Sequence, residues 1–347
     1  MTAISTAALT GYGPTAIRTL QKEMALAQTE LTTGRKADLG EQLGYQTGAV
    51  ISLTAEQSRI EAQINSNAVV STKLDASQAA MTSVSQAAQT FLSALVTASQ
   101  SGASASAAGD AARNGLEVST SALNTSVSGV YIFAGLNTST APMTDYYSSP
   151  QSKARAAMIG AFTQEFGFPP TDPAASNISA SAMQGFIDSR LSQVFADPNW
   201  GANWSSASIS NATARVSESE TVSNPANLNA APFRQITQAY AMIAEFAGAK
   251  LNPAAQSALV GSAIKLTSTA AQGLTAFQAS VGDAQNRISA SDDQMKLQSN
   301  ILATQVDALT GVDAAAAAER VATLTTQIEA AYSMTAQIEK LSLANNI

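Results

Sequence analysis

A seven-residue apolar repeat runs twice through this chain of 347 residues without a slip. A strict period of seven imposes a left-handed supercoil on α-helices, so each repeat predicts one long coiled-coil helix. The first helix is expected over about residues 48–99, with a length of roughly 75 Å. The first repeat occupies Leu53, Ile60, Asn67, Leu74, Met81, Ala88 and Leu95. The second occupies Val260, Thr267, Leu274, Val281, Ile288, Met295, Leu302 and Leu309.

Asn67 places a polar side chain in the first repeat. A polar residue at such a position can be merely tolerated, or it can specify the register of the paired helices at some cost in stability. The sequence favours neither interpretation over the other.

The middle of the chain differs in composition from both repeats. Eight of its ten prolines lie between Pro142 and Pro232, together with five phenylalanines and both tryptophans. Prolines and aromatic residues build compact irregular or mixed structure, so residues 137–232 are predicted to form a small inserted domain. Trp200 and Trp204 could stack on a sugar or fill the core of this domain. The core is favoured, because a small domain needs its largest side chains inside.

Shorter amphipathic helices are predicted at both ends of the chain, over residues 14–33 and 314–345. Pro14 is expected in the first turn, where proline is well tolerated. An apolar stripe that continues almost to the chain end implies a partner surface, and two short helices cover each other poorly. We therefore expect these helices to contact other subunits. The residues predicted at that contact are Ile17, Leu20, Met24, Ala27, Leu31, Leu324, Ile328, Ala331, Ile338 and Leu341.

The order of these segments is symmetric about the insert, and this symmetry predicts the architecture. Two long helices of equal period pair most simply as antiparallel neighbours, with the insert at one tip and both chain ends at the other. The predicted fold is mainly α, an elongated antiparallel coiled-coil rod with a small mixed α/β or β-rich domain inserted at one tip. The expected segments are 1–36 and 312–347 for assembly, 37–136 and 233–311 for the rod, and 137–232 for the insert.

The composition excludes several kinds of catalysis and binding site. The chain has no cysteine and no histidine, which excludes thiol and imidazole catalysis, disulfides and Cys/His zinc sites. Asp292 and Asp293 form the clearest carboxylate pair. Adjacent helical residues point about 100° apart, which favours a solvated face over a catalytic pair. Carboxylate or lysine chemistry remains open on composition alone, and no cofactor or metal site is indicated.

Charge and hydropathy narrow the choice of partner. A formal net charge of −7 without a basic cluster argues against nucleic acid. No run approaches the 18 or so apolar residues of a membrane span, so no membrane insertion is expected. The opening "MTAISTAALTGYGPTA" lacks the cationic and apolar regions of a cleavable secretory signal.

Several short stretches resemble the flagellin superfamily. "ELTTGRK" (Glu30–Lys36) is similar to the end of that family's first helix, and "GDAQNRI" (Gly282–Ile288) to its signature in the returning strand. The last helix, "VDAAAAAERVATLTTQIEAAYSMTAQIEKLSL", resembles the terminal helix of the family. "GVYIFAGLNTSTAPM" (Gly129–Met143) and the absence of Pro and Gly from residues 314–345 resemble its hook-associated branch rather than its filament proteins.

The resemblance implies a structural subunit without enzyme activity. It would leave the cell through the flagellar type III export apparatus and assemble as a ring between hook and filament. The implied partners are copies of the chain itself, other hook-associated and flagellin subunits, and an export chaperone. A chain without cysteine suits passage in an unfolded state, because cross-links cannot obstruct it.

Three alternatives remain open. A filament-forming flagellin with a short variable domain would share most of the same features. A signalling coiled coil like the cytoplasmic rod of a chemotaxis receptor would share the content of Ala, Ser and Gln, but it leaves the insert unexplained. A carbohydrate hydrolase housed in residues 142–232 would need two acids that converge on a cleft.

Overall fold

The computed structural model describes residues 6–101, 105–148 and 150–344, and these are mainly helical, as predicted. The N-terminal third contains four α-helices and, between α2 and α3, a single 3₁₀ turn at Gly44–Gln46. The helices are α1 (Thr6–Thr33), α2 (Leu39–Leu43), α3 (Thr47–Ser101) and α4 (Ala105–Leu123). The helix α1 begins before the predicted start, so Pro14 lies inside it and not in its first turn.

The segment between α1 and α3 contains ordered turns as well as α2. Asp38 caps α2, because its side chain accepts a hydrogen bond from the Glu41 backbone N–H at 2.9 Å. Gly44 ends α2 with a φ of 54°, a conformation that favours glycine. The glycines between α1 and α3 therefore do not prevent a short helix from forming, and one of them ends it.

The region between α4 and the returning helices combines helix with two small sheets. In the first sheet β1 (Ser126–Val127) pairs antiparallel with β2 (Val130–Tyr131) around Ser128 and Gly129. Both turn residues have positive φ, which is the geometry of a tight hairpin that matches strand twist. The helices that follow are α5 (Lys153–Phe166), α6 (Ala180–Phe186), α7 (Ser192–Val194) and α8 (Asn199–Asn203). The second sheet pairs β3 (Thr213–Arg215) antiparallel with β4 (Thr221–Ser223).

Three helices complete the chain: α9 (Ala231–Phe246), α10 (Pro253–Thr310) and α11 (Ala314–Ala344). The two long helices, α3 and α10, carry the two apolar repeats. Nearly all repeat positions are buried, Asn67 and Thr267 included, while Leu53, Leu302 and Leu309 are half-buried. The prediction of two long helices with buried seams is confirmed.

The chain divides into two compact units, residues 63–292 and the pair of segments 1–62 and 293–347. In the second of these, α1 and α11 run antiparallel. The Gln21 side-chain amide donates to the Tyr332 hydroxyl at 2.9 Å, and the Thr325 hydroxyl approaches the Met24 sulfur at 3.8 Å. A separate small cluster forms where Leu43 and Val50 meet Val306.

Residues 63–292 share one continuous hydrophobic cluster. Within it α3 and α10 are antiparallel, because Gln78 donates to the Gln278 carbonyl at 2.7 Å and Gln285 to Asp75 at 2.6 Å. The phenylalanine cluster of the middle region packs onto Phe246 of α9, outside residues 137–232. The predicted limits of that domain, like the other segment limits, remain predictions.

Both tryptophans are fully buried, so the core interpretation is confirmed. Trp204 stacks between Trp200 and Tyr146, with ring centroids 6.0 and 5.5 Å apart. The Trp200 indole donates to the side chain of Asn229 at 2.8 Å. These rings therefore organise the interior and present no face to a sugar.

Candidate subunit interface on the terminal helices

The predicted contact residues of α1 are covered by α11 to different degrees. Ile17 and Ala27 are buried, Leu20 and Met24 are half-buried, and Leu31 remains 38% exposed. Small side chains such as Ala27 let two helices approach closely. Part of the predicted stripe is therefore the seam of a hairpin within the chain, and part of it still faces outward.

Among the predicted residues of α11 whose side chains the structure describes, only Leu324 is buried. Ile328, Ala331 and Ile338 are half-buried. Leu341 lies within α11, but its side chain falls outside the described residues. The hairpin thus buries both stripes incompletely, as expected for two helices that have only each other to pack against.

Two exposed side chains of α11 were missed by the sequence analysis. Tyr332 is 51% exposed and Met334 is 62% exposed, although both are large and apolar in part. Tyr332 stands four residues after Ile328, so helical spacing could have placed it at the edge of the stripe. Met334 stands three residues after Ala331 and four before Ile338, so the same spacing could have placed it on the stripe as well.

Exposed apolar side chains also lie on the long helices within residues 1–62 and 293–347. Ile51 of α3 and Leu297 and Ile301 of α10 are each more than half exposed, as is Tyr45 before α3. Leu297 and Ile301 are four residues apart and share one face of α10. Exposed apolar groups of this size are typical of surfaces that contact other proteins.

The motif "ELTTGRK" forms the polar end of the α1–α11 hairpin. Glu30 is buried, and its carboxylate accepts from the Ala37 backbone N–H at 3.2 Å and from the Gln42 side chain. Arg320 of α11 lies 3.8 Å from the same carboxylate. Glu30 therefore joins α1, the following turn and α11.

The same end is closed by paired backbones. Lys36 N–H donates to the Thr310 carbonyl at 2.8 Å, and Val312 N–H donates to the Gly34 carbonyl at 3.0 Å. Gly34 has a φ of 69°, which favours glycine at this position. The motif thus serves a structural purpose, since it joins the end of α1 to the C-terminal end of α10 and the turn that leads into α11.

The clearest cluster of charged and phenolic groups in residues 63–292 consists of side chains that bond to one another. Arg155 donates two hydrogen bonds to Glu245, at 3.0 and 3.3 Å, and the Tyr146 hydroxyl donates to the same carboxylate at 3.1 Å. Burial, followed by the negative charge of Glu245, raises the pKa of Tyr146 far above its ordinary value. A carboxylate held by two donor side chains in this way stabilises the packing around it.

Asp292 differs from the expectation of a solvated face. It is half-buried and accepts a hydrogen bond from Asn67 at 2.6 Å, while Asp293 is exposed and pairs with Lys296 at 3.1 Å. The adjacent carboxylates do point apart, but one of them faces a buried amide. Among the described residues no three carboxylate, His or Cys groups form a metal cluster, and no described helix is apolar over a length that would cross a membrane.

Comparison with known proteins agrees with this architecture. The bacterial flagellin N-terminal helical region matches residues 4–138, and the bacterial flagellin C-terminal helical region matches residues 264–346. Twelve chains of solved structure match the fold. One is a protein from Vibrio parahaemolyticus provisionally assigned as a flagellar hook-associated protein, with 16% identity, a TM-score of 0.50, and coverage of 78% of this chain and 99% of that chain. No protein of curated function matches significantly in sequence.

The helical fold and the two matched regions define a structural subunit of the bacterial flagellum. The matched regions together cover more than half of the sequence and include both terminal helices. The chain belongs to the bacterial flagellin family. Proteins of this family are structural and polymerise with themselves and with other flagellar components.

Proposed function

We propose that this chain forms the junction ring that joins hook to filament in the flagellum. The observation that carries the proposal is the incompletely covered α1–α11 hairpin in a member of a polymerising family. Half-buried apolar stripes gain stability only when neighbouring molecules cover them, so a subunit of this kind is completed by its assembly.

The contact between subunits is proposed to use the stripes on both terminal helices. The covered members, such as Ile17 and Leu324, hold the hairpin together, and the partly exposed members provide the surface for neighbours. Residues 1–36 and 312–347 would form the inner core of the ring, 37–136 and 233–311 the rod, and 137–232 an outer domain. The proposed contact residues are Ile17, Leu20, Met24, Ala27, Leu31, Leu324, Ile328, Ala331, Ile338 and Leu341.

Two features favour the junction over the filament. Residues 129–143 resemble the hook-associated branch, and in the structure Phe133 and Ala134 of this stretch are buried. Gly135 has a φ of 60° and lies where a Cβ would come within 2.9 Å of the Ser208 carbonyl oxygen. This stretch is therefore packed into the core, through Phe133 and Ala134, at the point where the chain enters the middle region. The similar fold of the Vibrio parahaemolyticus protein supports the same assignment.

The alternative is a filament-forming flagellin with a short middle region. It is favoured by the two matched regions, which belong to flagellin itself. Copy number separates the two functions, because a filament contains thousands of subunits and a junction ring contains tens. Quantitative mass spectrometry of isolated flagella therefore distinguishes them directly.

Export and partners follow from the same proposal. The chain would pass through the flagellar type III apparatus with an export chaperone and then contact its own copies, other hook-associated subunits and flagellin. A strain that lacks the gene tests the junction role. We expect it to keep its hooks, to shed flagellin into the medium and to lose motility. Flagella of normal length in that strain would contradict the proposal.

A further inference from the structure

The hairpin formed by β3 and β4 contacts both long helices within residues 63–292. Its Val216 carbonyl accepts a hydrogen bond from the Asn67 amide of α3 at 2.9 Å and one from the Ser291 hydroxyl of α10 at 3.2 Å. The Val216 side chain is fully buried. One backbone carbonyl of the hairpin is therefore held by both helices at once.

Further contacts tie the hairpin to each helix separately. On α3, Gln63 donates to the Arg215 carbonyl at 2.8 Å and to the Asn67 side-chain oxygen at 3.0 Å. On α10, Arg287 donates to Glu220 at 2.9 Å. Each helix thus presents two residues four positions apart, which lie one above the other on a single helical face.

The hydrogen-bond capacity of Asn67 is largely satisfied. Its amide nitrogen donates to Val216 and to Asp292 of α10, and its side-chain oxygen accepts from Gln63. Asn67 is completely buried, and a buried amide without partners is costly. Its position in the seam is therefore stable only where the hairpin and Asp292 lie beside it.

Apolar repeats alone specify the axial alignment of two helices weakly. A shift by one heptad, about 10 Å of helical rise, replaces apolar seam residues by other apolar residues. The same shift would carry Asn67 away from the Val216 carbonyl and from Asp292. It would bury the Asn67 amide without those two acceptors and leave the carbonyl with the Ser291 hydroxyl as its remaining donor.

We propose that the β3–β4 hairpin is a register clip that sets the axial alignment of α3 and α10 through Asn67 and the Val216 carbonyl. The middle region of the chain thereby holds the two long helices in place. This role is independent of where in the flagellum the subunit assembles, because every contact involved lies within one chain.

The alignment can be measured by spin labelling. The chain has no cysteine, so Thr72→Cys and Thr269→Cys place one label on each long helix at exposed positions. Pulsed electron resonance then reports the distance between the labels. With the clip intact we expect a single narrow distribution. Asn67→Leu keeps the branching and the number of heavy side-chain atoms but removes the polar contacts, and we expect its distribution to broaden toward distances displaced by up to about 10 Å, one heptad.

The matched control is Ser77→Ala. Ser77 is also buried on α3, but within the described part of the chain its hydroxyl bonds only to the Lys73 carbonyl of its own helix, at 2.9 Å. That variant should retain the narrow distribution. If Asn67→Leu does not fold by circular dichroism, the pair Gln63→Ala and Ser291→Ala weakens the clip more gently and is measured in the same way. An unchanged distribution in the folded variant that lacks clip contacts would overturn the proposal.

Discussion

Gly115 of α4 lies directly against the ring of Tyr240 of α9. A Cβ at Gly115 would overlap the ring and lie 2.6 Å from its Cζ atom. The same ring contacts Phe91 of α3, with centroids 4.9 Å apart. The close approach of three helices in residues 63–292 therefore depends on a position that has no side chain.

Gly115→Ala should lower the free energy of unfolding by about 1–3 kcal/mol, because the added methyl group forces the Tyr240 ring out of its place. Gly109→Ala in the same helix is the matched control, since no described atom lies within 4 Å of its Cβ position. It should raise stability by about 0.5–1 kcal/mol through helix propensity. Urea unfolding of both variants measures these changes in the free energy of unfolding. Equal effects at the two positions would contradict the packing described above.

Tyr146 and Tyr240 should make the protein less stable at alkaline pH. Burial raises the pKa of both phenols in the folded state. An unfolded tyrosine ionises near pH 10, so above about that pH the unfolded state releases protons that the folded state retains, and stability falls. Unfolding midpoints measured from pH 7 to pH 11 should show this decline.

The two phenols should respond differently to removal of the hydroxyl. Tyr146→Phe loses the hydrogen bond to Glu245 and should cost about 1.5–3 kcal/mol at pH 7. The buried Tyr240 hydroxyl makes no hydrogen bond of normal geometry among the described residues and interacts only with the Ser119 side chain, so Tyr240→Phe should stay within about 1 kcal/mol of neutral. Both variants should flatten the alkaline decline. A decline that is unchanged in both would disprove its assignment to these residues.

Arg155→Met should destabilise the protein by about 2 kcal/mol, because it leaves the Glu245 carboxylate, only 9% exposed, without its cation. The value lies below that of a fully buried pair because Arg155 itself is 40% exposed. Arg190→Met is the control, since its pair with Glu165 is more open to solvent on both sides. It should cost less than about 1 kcal/mol. Chemical unfolding of the two variants provides the comparison.

Deletion of residues 328–347 should leave a soluble monomer that no longer assembles. The deletion removes most of the half-buried stripe of α11 but leaves residues 63–292 intact. The unfolding transition of that unit should therefore persist, while helix content falls. Circular dichroism and sedimentation velocity test the fold, and analysis of purified flagella tests incorporation. Truncated protein found at the junction would refute the role of the terminal hairpin.

Much of the fold could be predicted because its information is local. Helical hydrogen bonds connect residues four apart, and the apolar repeats around Leu74 and Val281 report directly which face of each helix is buried. Helix starts were less predictable. Pro14 suggested a first turn, yet α1 begins earlier, because the loss of one interior hydrogen bond is tolerated in a helix that packs along α11.

The candidate interface could be predicted only in part. Periodicity identified Ile17 and Leu324 as members of apolar stripes, but it could not tell that these two are covered by the hairpin while Leu31 remains partly exposed. Coverage depends on how two helices distant in sequence are rotated against each other. The exposure of Met334 was equally hidden from the sequence, although its spacing from Ala331 and Ile338 fits the stripe.

By itself, the sequence determined the long helices, their buried seams, the interior position of both tryptophans and the resemblance to flagellin. The tertiary structure decided which polar groups meet. Asn67 bonds to Val216 and Asp292, which are 149 and 225 positions away in the chain. A helix needs only its own neighbours to satisfy its backbone, whereas a buried side-chain amide is satisfied only by the groups that folding brings beside it.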